Sequence, residues 1–106
     1  MASRIKFGRN WNGKLDRDLF TTIRAPKPYY YKDDQIYDIY LREKLYCKAK
    51  IIASRYIPIN DIDDIIARQD IGDTAEKLKL ILRNMHKITP DKNPPMMLLC
   101  LLKVYD

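Results

Sequence analysis

The chain has 106 residues, of which 46% are hydrophobic and 32% are charged, a composition typical of one globular domain that needs neither disulfides nor metal to bury a core. No apolar run approaches the roughly 20 residues that a membrane helix requires. The basic N-terminus also lacks the apolar centre of a secretory signal. We therefore expect a protein of the cytoplasm with no membrane partner.

The net charge of +6 is unevenly distributed along the chain. Residues 1–55 hold 13 Lys and Arg against 6 Asp and Glu, whereas residues 56–106 hold 7 against 8. A chain polarised in this way can concentrate positive potential on one face, which attracts phosphate groups. The charge pattern therefore favours RNA or a nucleotide as the partner, with simple solubility as the alternative.

Strands are predicted in the N-terminal half, after a basic start. Residues 1–11 are polar and basic, and we assign them to a flexible segment. Further along, β-branched and aromatic residues predict strands over residues 19–24, 36–41 and 46–57.

Near residue 60 the spacing of the apolar residues changes from every second residue, as in strands, to every third or fourth residue, as in helices. Asn60 is predicted to cap a short helix, and Asp73 with Glu76 has the spacing of a capping box for a second one. The length of the apolar run over residues 96–104 then predicts a last strand that is buried on both faces, with a helix as the alternative. This order predicts a single α+β domain, with two helices at one end of a mostly antiparallel sheet.

The order of these elements, with the strand sequence Leu-Phe-Thr-Thr-Ile-Arg at residues 19–24, resembles the ASCH family of PUA-like domains. The family's lysine-containing turn corresponds to Lys-Asp-Asp-Gln at residues 32–35, although the usual Gly-Asp is missing. The resemblance covers residues 12–105. It implies a PUA-like, mostly antiparallel β-barrel with a two-helix insert near residues 60–88, and an RNA- or nucleotide-binding function.

Within that family the chain most resembles small acetylcytidine amidohydrolases, which look to use a lysine and a threonine on the first strand and a glutamate from the insert. Their positions correspond here to Leu19, Thr22 and Asp70. Leucine has no proton to exchange, so weak or absent hydrolysis is expected unless Lys14 or Arg17 reaches the same pocket. The resemblance thus implies Thr22 and Asp70 as catalytic candidates of an amidohydrolase on an acylated nucleoside, or of a ribonuclease.

The candidates for nucleic-acid binding combine positive charge with a hydroxyl group or an aromatic ring. Thr22 and Arg24 alternate out of one strand face, where a hydroxyl beside a guanidinium suits a phosphate or a carbonyl group. The run from Tyr29 to Lys32 offers rings that stack on bases or, alternatively, pack on the barrel. The predicted nucleic-acid-binding residues are Lys14, Arg17, Arg24, Tyr30 and Lys32.

Simpler structural roles explain the remaining polar and aromatic residues. The aspartates at positions 61, 63, 64, 70 and 73 favour helix N-terminal contacts over a metal site, and His86 suits a helix C-terminus. Trp11 is predicted to cover the mouth of the barrel, with base stacking as the alternative. No metal or cofactor is predicted, and a protein-interaction module remains the third functional hypothesis.

Overall fold

A computed structural model describes residues 3–105, in which one sheet is combined with two α-helices and two short 3-10 helices. The strands are β1 (Ser3–Phe7), β2 (Leu19–Arg24), β3 (Ile36–Leu41), β4 (Lys44–Pro58) and β5 (Pro95–Val104). The helices are α1 (Asp64–Asp70) and α2 (Ala75–His86), and the 3-10 helices span Trp11–Asp16 and Ile59–Asp61. In this described part, neither α-helix has the length and apolar character needed to cross a membrane.

The strand order in the sheet is β1-β3-β4-β5-β2. β1 and β3 are parallel, and the other neighbouring pairs are antiparallel, which confirms the predicted α+β class and the mostly antiparallel sheet. β4, with 15 residues, pairs with both β3 and β5. Within residues 3–105, β1 and β2 are the two edges and no ladder joins them. The sheet is therefore open, and the predicted closed barrel is not observed.

β1 corrects the assignment of residues 1–11 to a flexible segment. Ser3–Phe7 forms a strand in register with β3, in which Ile5 and Phe7 are buried while Arg4 and Lys6 are exposed. This alternation is the pattern of a half-buried strand. The two interleaved basic residues concealed it in the sequence. Met1 and Ala2 lie outside the described residues.

The two helices predicted near residues 60–88 are present, but neighbouring residues cap them. Asp63 caps α1 and accepts a hydrogen bond from the backbone N–H of Ile66 at 2.9 Å, whereas Asn60 lies in the second 3-10 helix. Thr74, rather than Asp73, caps α2. Each true cap stands within three residues of another good capping residue, so residue type alone could not choose between them.

The apolar core has two parts, which lie on opposite faces of β2 and β5. Phe20 and Leu99 face one part, together with residues of β1, β3 and β4. Ile23 and Met96 face the other, together with the apolar residues of α1 and α2. Because successive side chains of a strand point to opposite faces, β2 contributes to both parts. The helices therefore cover one end of the sheet at its β2 edge.

We predict that Gly72→Ala lowers the free energy of unfolding by about 2 kcal/mol, because an alanine at positive φ is strained. Gly72 has φ +73°, and an added Cβ would lie 2.7 Å from Cγ of Asn12. Asn12 would also have to give up its hydrogen bond to the carbonyl oxygen of Arg68. Urea unfolding followed by tryptophan fluorescence measures the change.

Gly8→Ala is the matched control, because an added Cβ there meets nothing within 4 Å. It should change the free energy of unfolding by less than about 0.5 kcal/mol. Equal stability of the two glycine variants would contradict the prediction.

Candidate functional site

A cavity of about 190 Å³ opens beside the C-terminal end of β2, between the first 3-10 helix and α2. Its polar wall includes Lys14, Thr22, Arg24 and Asp70, and its apolar wall includes Phe7, Trp11, Ile71, Leu82 and Met85. Apolar walls with a few converging polar groups are typical of sites for small organic ligands.

A buried ion pair lies in the polar wall of the cavity. Nζ of Lys14 is 2.9 Å from Oδ1 of Asp70, and these residues are only 2% and 4% exposed. The hydroxyl group of Thr21 donates a further hydrogen bond to the same oxygen at 3.2 Å. Burying two charges costs several kcal/mol per ion, which only close contact and additional hydrogen bonds offset. Each partner therefore depends on the other for its place in the core.

The first 3-10 helix holds Lys14 against the end of α1 through contacts on both sides of the lysine. Asn12 donates its amide N–H to the carbonyl oxygen of Arg68 at 3.3 Å. Arg17 donates to the carbonyl oxygen of Gln69 at 3.2 Å. Both acceptors belong to the last turn of α1, and the carbonyl oxygen of Arg68 also accepts a hydrogen bond from the backbone N–H of Gly72 at 3.0 Å. These bonds give carbonyl oxygens in the last turn of α1 side-chain partners, and they fix the position of the ion pair.

Arg24 crosses the open side of the sheet from β2 to β1. Its Nη2 donates to the carbonyl oxygen of Lys6 at 2.7 Å, and its Nε donates to Oγ1 of Thr22 at 3.3 Å. The guanidinium also lies 4.6 Å from the ring centroid of Phe7, a cation–π contact. Burial lowers the pKa of Arg24 from its ordinary value. An arginine nevertheless stays protonated in proteins, so a fixed positive charge stands at the cavity.

The environment of Lys14 favours its neutral form more than water does. Burial has the largest effect and lowers the pKa of Lys14, while the attraction and hydrogen bond of Asp70 oppose the change without reversing it. Repulsion from Arg24 and Arg17 lowers the pKa further. A lysine with a lowered pKa reaches its neutral, proton-accepting form closer to neutral pH.

A second depression lies on the other side of Arg24, and we call it the basic groove. It is lined by Ser3, Arg4, Ile5, Lys6, Arg24, Lys27, Tyr30 and Tyr31. The hydroxyl group of Tyr30 accepts a hydrogen bond from the backbone N–H of Arg4 at 2.8 Å and donates one to its carbonyl oxygen at 2.6 Å. Tyr30 thus occupies the backbone edge of β1 as a structural contact.

The structure brings Thr22, Asp70, Lys14 and Arg24 into the cavity and places Tyr30 in the groove. Arg17 lies beside Lys14, and Lys32 is exposed; neither belongs to the described lining of the cavity or the groove. Leu19, at the position of the family's lysine, is 51% exposed, and Lys14 reaches the cavity instead.

Sequence reasoning missed the contributions of Lys6, Phe7, Arg4 and Lys27. All of these except Lys27 belong to the unrecognised β1. The signal for Phe7 was its alternation with Ile5. Trp11, predicted as a cover, is half-buried and lines the cavity, and Arg9 stacks 4.6 Å from its ring centroid.

Two of the other aspartates contact the backbone at the start of α2. Asp64 accepts a hydrogen bond from the backbone N–H of Ala75 at 2.7 Å, and Asp73 accepts one from Thr74 at 2.7 Å. Among the residues that the structure describes, no three His, Cys, Asp or Glu side chains are grouped so as to hold a metal ion. The geometry of the aspartates is thus explained by backbone capping.

Comparison with known proteins found no relative. No protein-family model, no curated protein and no solved structure matches the chain.

We predict that Asp70→Asn lowers the free energy of unfolding at pH 7 by about 3 kcal/mol, because it leaves a buried lysine without a counter-charge. The pKa of Lys14 is already lowered by burial, and loss of the carboxylate lowers it further. The unfolded chain then binds more protons than the folded one. Stability of the variant should therefore rise as the pH is raised from 7 towards 10, and more steeply than that of the wild type.

Urea unfolding at pH 7 and pH 9.5 measures this difference. The control is the double variant Lys14→Met/Asp70→Leu, which removes both charges and should be more stable at pH 7 than Asp70→Asn. A variant Asp70→Asn with the stability and pH dependence of the wild type would rule out the ion pair as a stabilising contact.

Proposed function

We propose that this chain is a PUA-like protein of the ASCH type, acting in the cytoplasm, that binds RNA or a nucleotide by holding one base in the cavity. The observation that carries the proposal is the convergence of an indole ring, an arginine and a buried lysine–aspartate pair on one small cavity.

A nucleobase needs a flat apolar surface and hydrogen-bonding partners at its edge. The half-buried ring of Trp11 lines the cavity, and a base would stack there in place of Arg9 or beside it. An ionised carboxylate has roughly four acceptor positions, and Oδ1 of Asp70 receives bonds from Lys14 and Thr21. The remaining acceptor capacity suits an exocyclic amine, and the guanidinium of Arg24 suits a ring carbonyl oxygen.

Charge supports RNA or a nucleotide over an uncharged ligand. The basic groove adjoins the cavity and carries Arg4, Lys6, Arg24 and Lys27. No Asp or Glu is among the described residues that line it. Positive side chains along a groove attract the phosphate groups of a nucleic acid.

Replacing Trp11 tests whether the base lies in the cavity. We predict that Trp11→Ala weakens binding of labelled single-stranded RNA between fivefold and a hundredfold, since base stacking on an aromatic ring is worth about 1–3 kcal/mol. Tyr29→Ala is the matched control, because Tyr29 is 77% exposed and lies outside the described lining of the cavity. Fluorescence anisotropy at 50 mM and 200 mM salt gives both affinities and their salt dependence.

RNA affinity should fall steeply between the two salt concentrations, because phosphate contacts release counterions. Absence of binding at 50 mM salt, or binding that is indifferent to salt, would reject the RNA proposal. If Tyr29→Ala loses RNA binding while Trp11→Ala binds RNA as tightly as the wild type, the base stacks on the tyrosines at residues 29–31 instead of lying in the cavity.

A second candidate function is hydrolysis of an acylated nucleoside, and the position of Lys14 favours it. Amide hydrolysis needs a base to activate the nucleophile, positive charge at the carbonyl oxygen and a proton for the leaving amine. Lys14 lines the same cavity as Thr22 and Arg24, and its pKa is lowered. Neutral Lys14 would accept the proton of the attacking hydroxyl or water and return it to the leaving amine, while Arg24 would stabilise the oxyanion.

Release of cytidine from acetylcytidine tests this second candidate. We predict that the wild type releases cytidine and that Lys14→Arg does not, because arginine keeps the charge beside Asp70 but cannot give up its proton. Retained binding of cytidine by Lys14→Arg shows that the cavity is intact. No release by the wild type would leave binding as the function of the cavity.

A further inference from the structure

The cavity and the basic groove are parts of one continuous surface. Lys6 and Arg24 line both of them, the cavity on one side and the groove on the other. The bond from Arg24 to the carbonyl oxygen of Lys6 forms the boundary between the two. A ligand that fills the cavity and extends past Arg24 therefore enters the groove.

The size of the cavity limits which part of a nucleotide it can hold. Its volume of about 190 Å³ lies below the roughly 300–1,000 Å³ that enclose a whole small-molecule ligand. The cavity thus has room for a base, while the sugar and any phosphate remain outside it. The opposite charges of Lys14 and Asp70 cancel at the floor of the cavity, and its remaining positive charge comes from Lys6, Arg9 and Arg24 in its lining.

The groove carries positive charge without any carboxylate among the described residues of its lining. Within residues 3–105, none of Arg4, Lys6, Arg24 and Lys27 forms a salt bridge with a carboxylate, and the guanidinium of Arg4 lies 4.9 Å from the ring centroid of Tyr40. The guanidinium of Arg24 donates to Thr22 and to the carbonyl oxygen of Lys6, which fixes its positive charge at the boundary of the groove. A guanidinium with lysine ammonium groups beside it is a typical arrangement for phosphate.

We propose that the basic groove binds the phosphate group of the same nucleotide whose base lies in the cavity. The site then takes a nucleoside monophosphate, either free or as the terminal residue of a strand. This inference rests on the proposed binding function and adds to it the phosphate requirement and the place where the phosphate lies.

Calorimetric titration of the full chain at 50 mM salt compares the four common ribonucleosides with their 5′- and 3′-monophosphates. At least one monophosphate should bind about tenfold to a hundredfold more tightly than its nucleoside, the range expected for hydrogen bonds to a charged group. The variants Arg4→Gln and Lys27→Gln change groove residues that are outside the described lining of the cavity. Each variant should bind the monophosphate less tightly than the wild type does. Its affinity for the nucleoside should be unchanged.

Lys77→Gln is the control for loss of one positive charge, since Lys77 is exposed on α2 and is not among the described residues of either depression. It should bind both ligands as the wild type does. Equal affinity of nucleosides and monophosphates would overturn the phosphate site while leaving the base in the cavity. Failure of both to bind would overturn the binding function itself.

A 5′-phosphorylated trinucleotide distinguishes the two sources of the phosphate. Binding at least as tight as that of the free monophosphate, and weakened by Lys27→Gln, identifies a strand terminus. Binding of the mononucleotide alone, with the same sensitivity to Lys27→Gln, identifies a free nucleotide. Monophosphate binding that is insensitive to both Arg4→Gln and Lys27→Gln would place the phosphate elsewhere and overturn the proposal.

Discussion

The ion pair between Lys14 and Asp70 is the contact on which the arrangement of the site depends. It joins the first 3-10 helix to the end of α1, two segments that lie 56 positions apart in the sequence. An unpaired charge in the core is far less favourable than the pair. The ion pair therefore fixes the relative position of the two segments more tightly than apolar packing alone would. The cavity has its shape because this contact fixes two of its walls.

Arg24 has a comparable role for the sheet. β1 and β2 are its edges, and an open edge exposes backbone groups that need partners. Arg24 reaches a carbonyl oxygen of β1, and Tyr30 occupies both backbone groups of Arg4. Side chains thus satisfy part of the edge where a closed barrel would have a ladder. Because no ladder joins β1 and β2, an opening remains between them, and the charge of Arg24 lies in it.

The sequence predicted the elements whose pattern is local. The strands β2 to β5 and both helices follow from period and composition, and the shared face of Thr22 and Arg24 follows from alternation. β1 was missed because Arg4 and Lys6 interrupt its apolar residues and because its parallel partner is distant in the sequence. The caps were misplaced because several capping residues stand close together.

The site was predictable only in part, for a different physical reason. Thr22 and Asp70 were selected through the family resemblance, but the pairing of Asp70 with Lys14 depends on how a kinked 3-10 helix folds back. Asn12 and Gly13 both have positive φ within that helix. Such a turn is compatible with the residue types, yet its direction is decided by contacts with α1. No local pattern in the sequence contains that information.

The strand order also has a consequence for how the molecule assembles. Among the described strands, β2 forms a ladder only with β5, which comes last along the chain. Thr22 and Arg24 therefore cannot take their final positions until β5 is available for pairing. Pairings between such distant segments slow folding, because the entropy of closing the loop is lost before the contacts form. During synthesis, the helices can form early from local contacts, whereas the cavity is completed only after β5 has paired with β2.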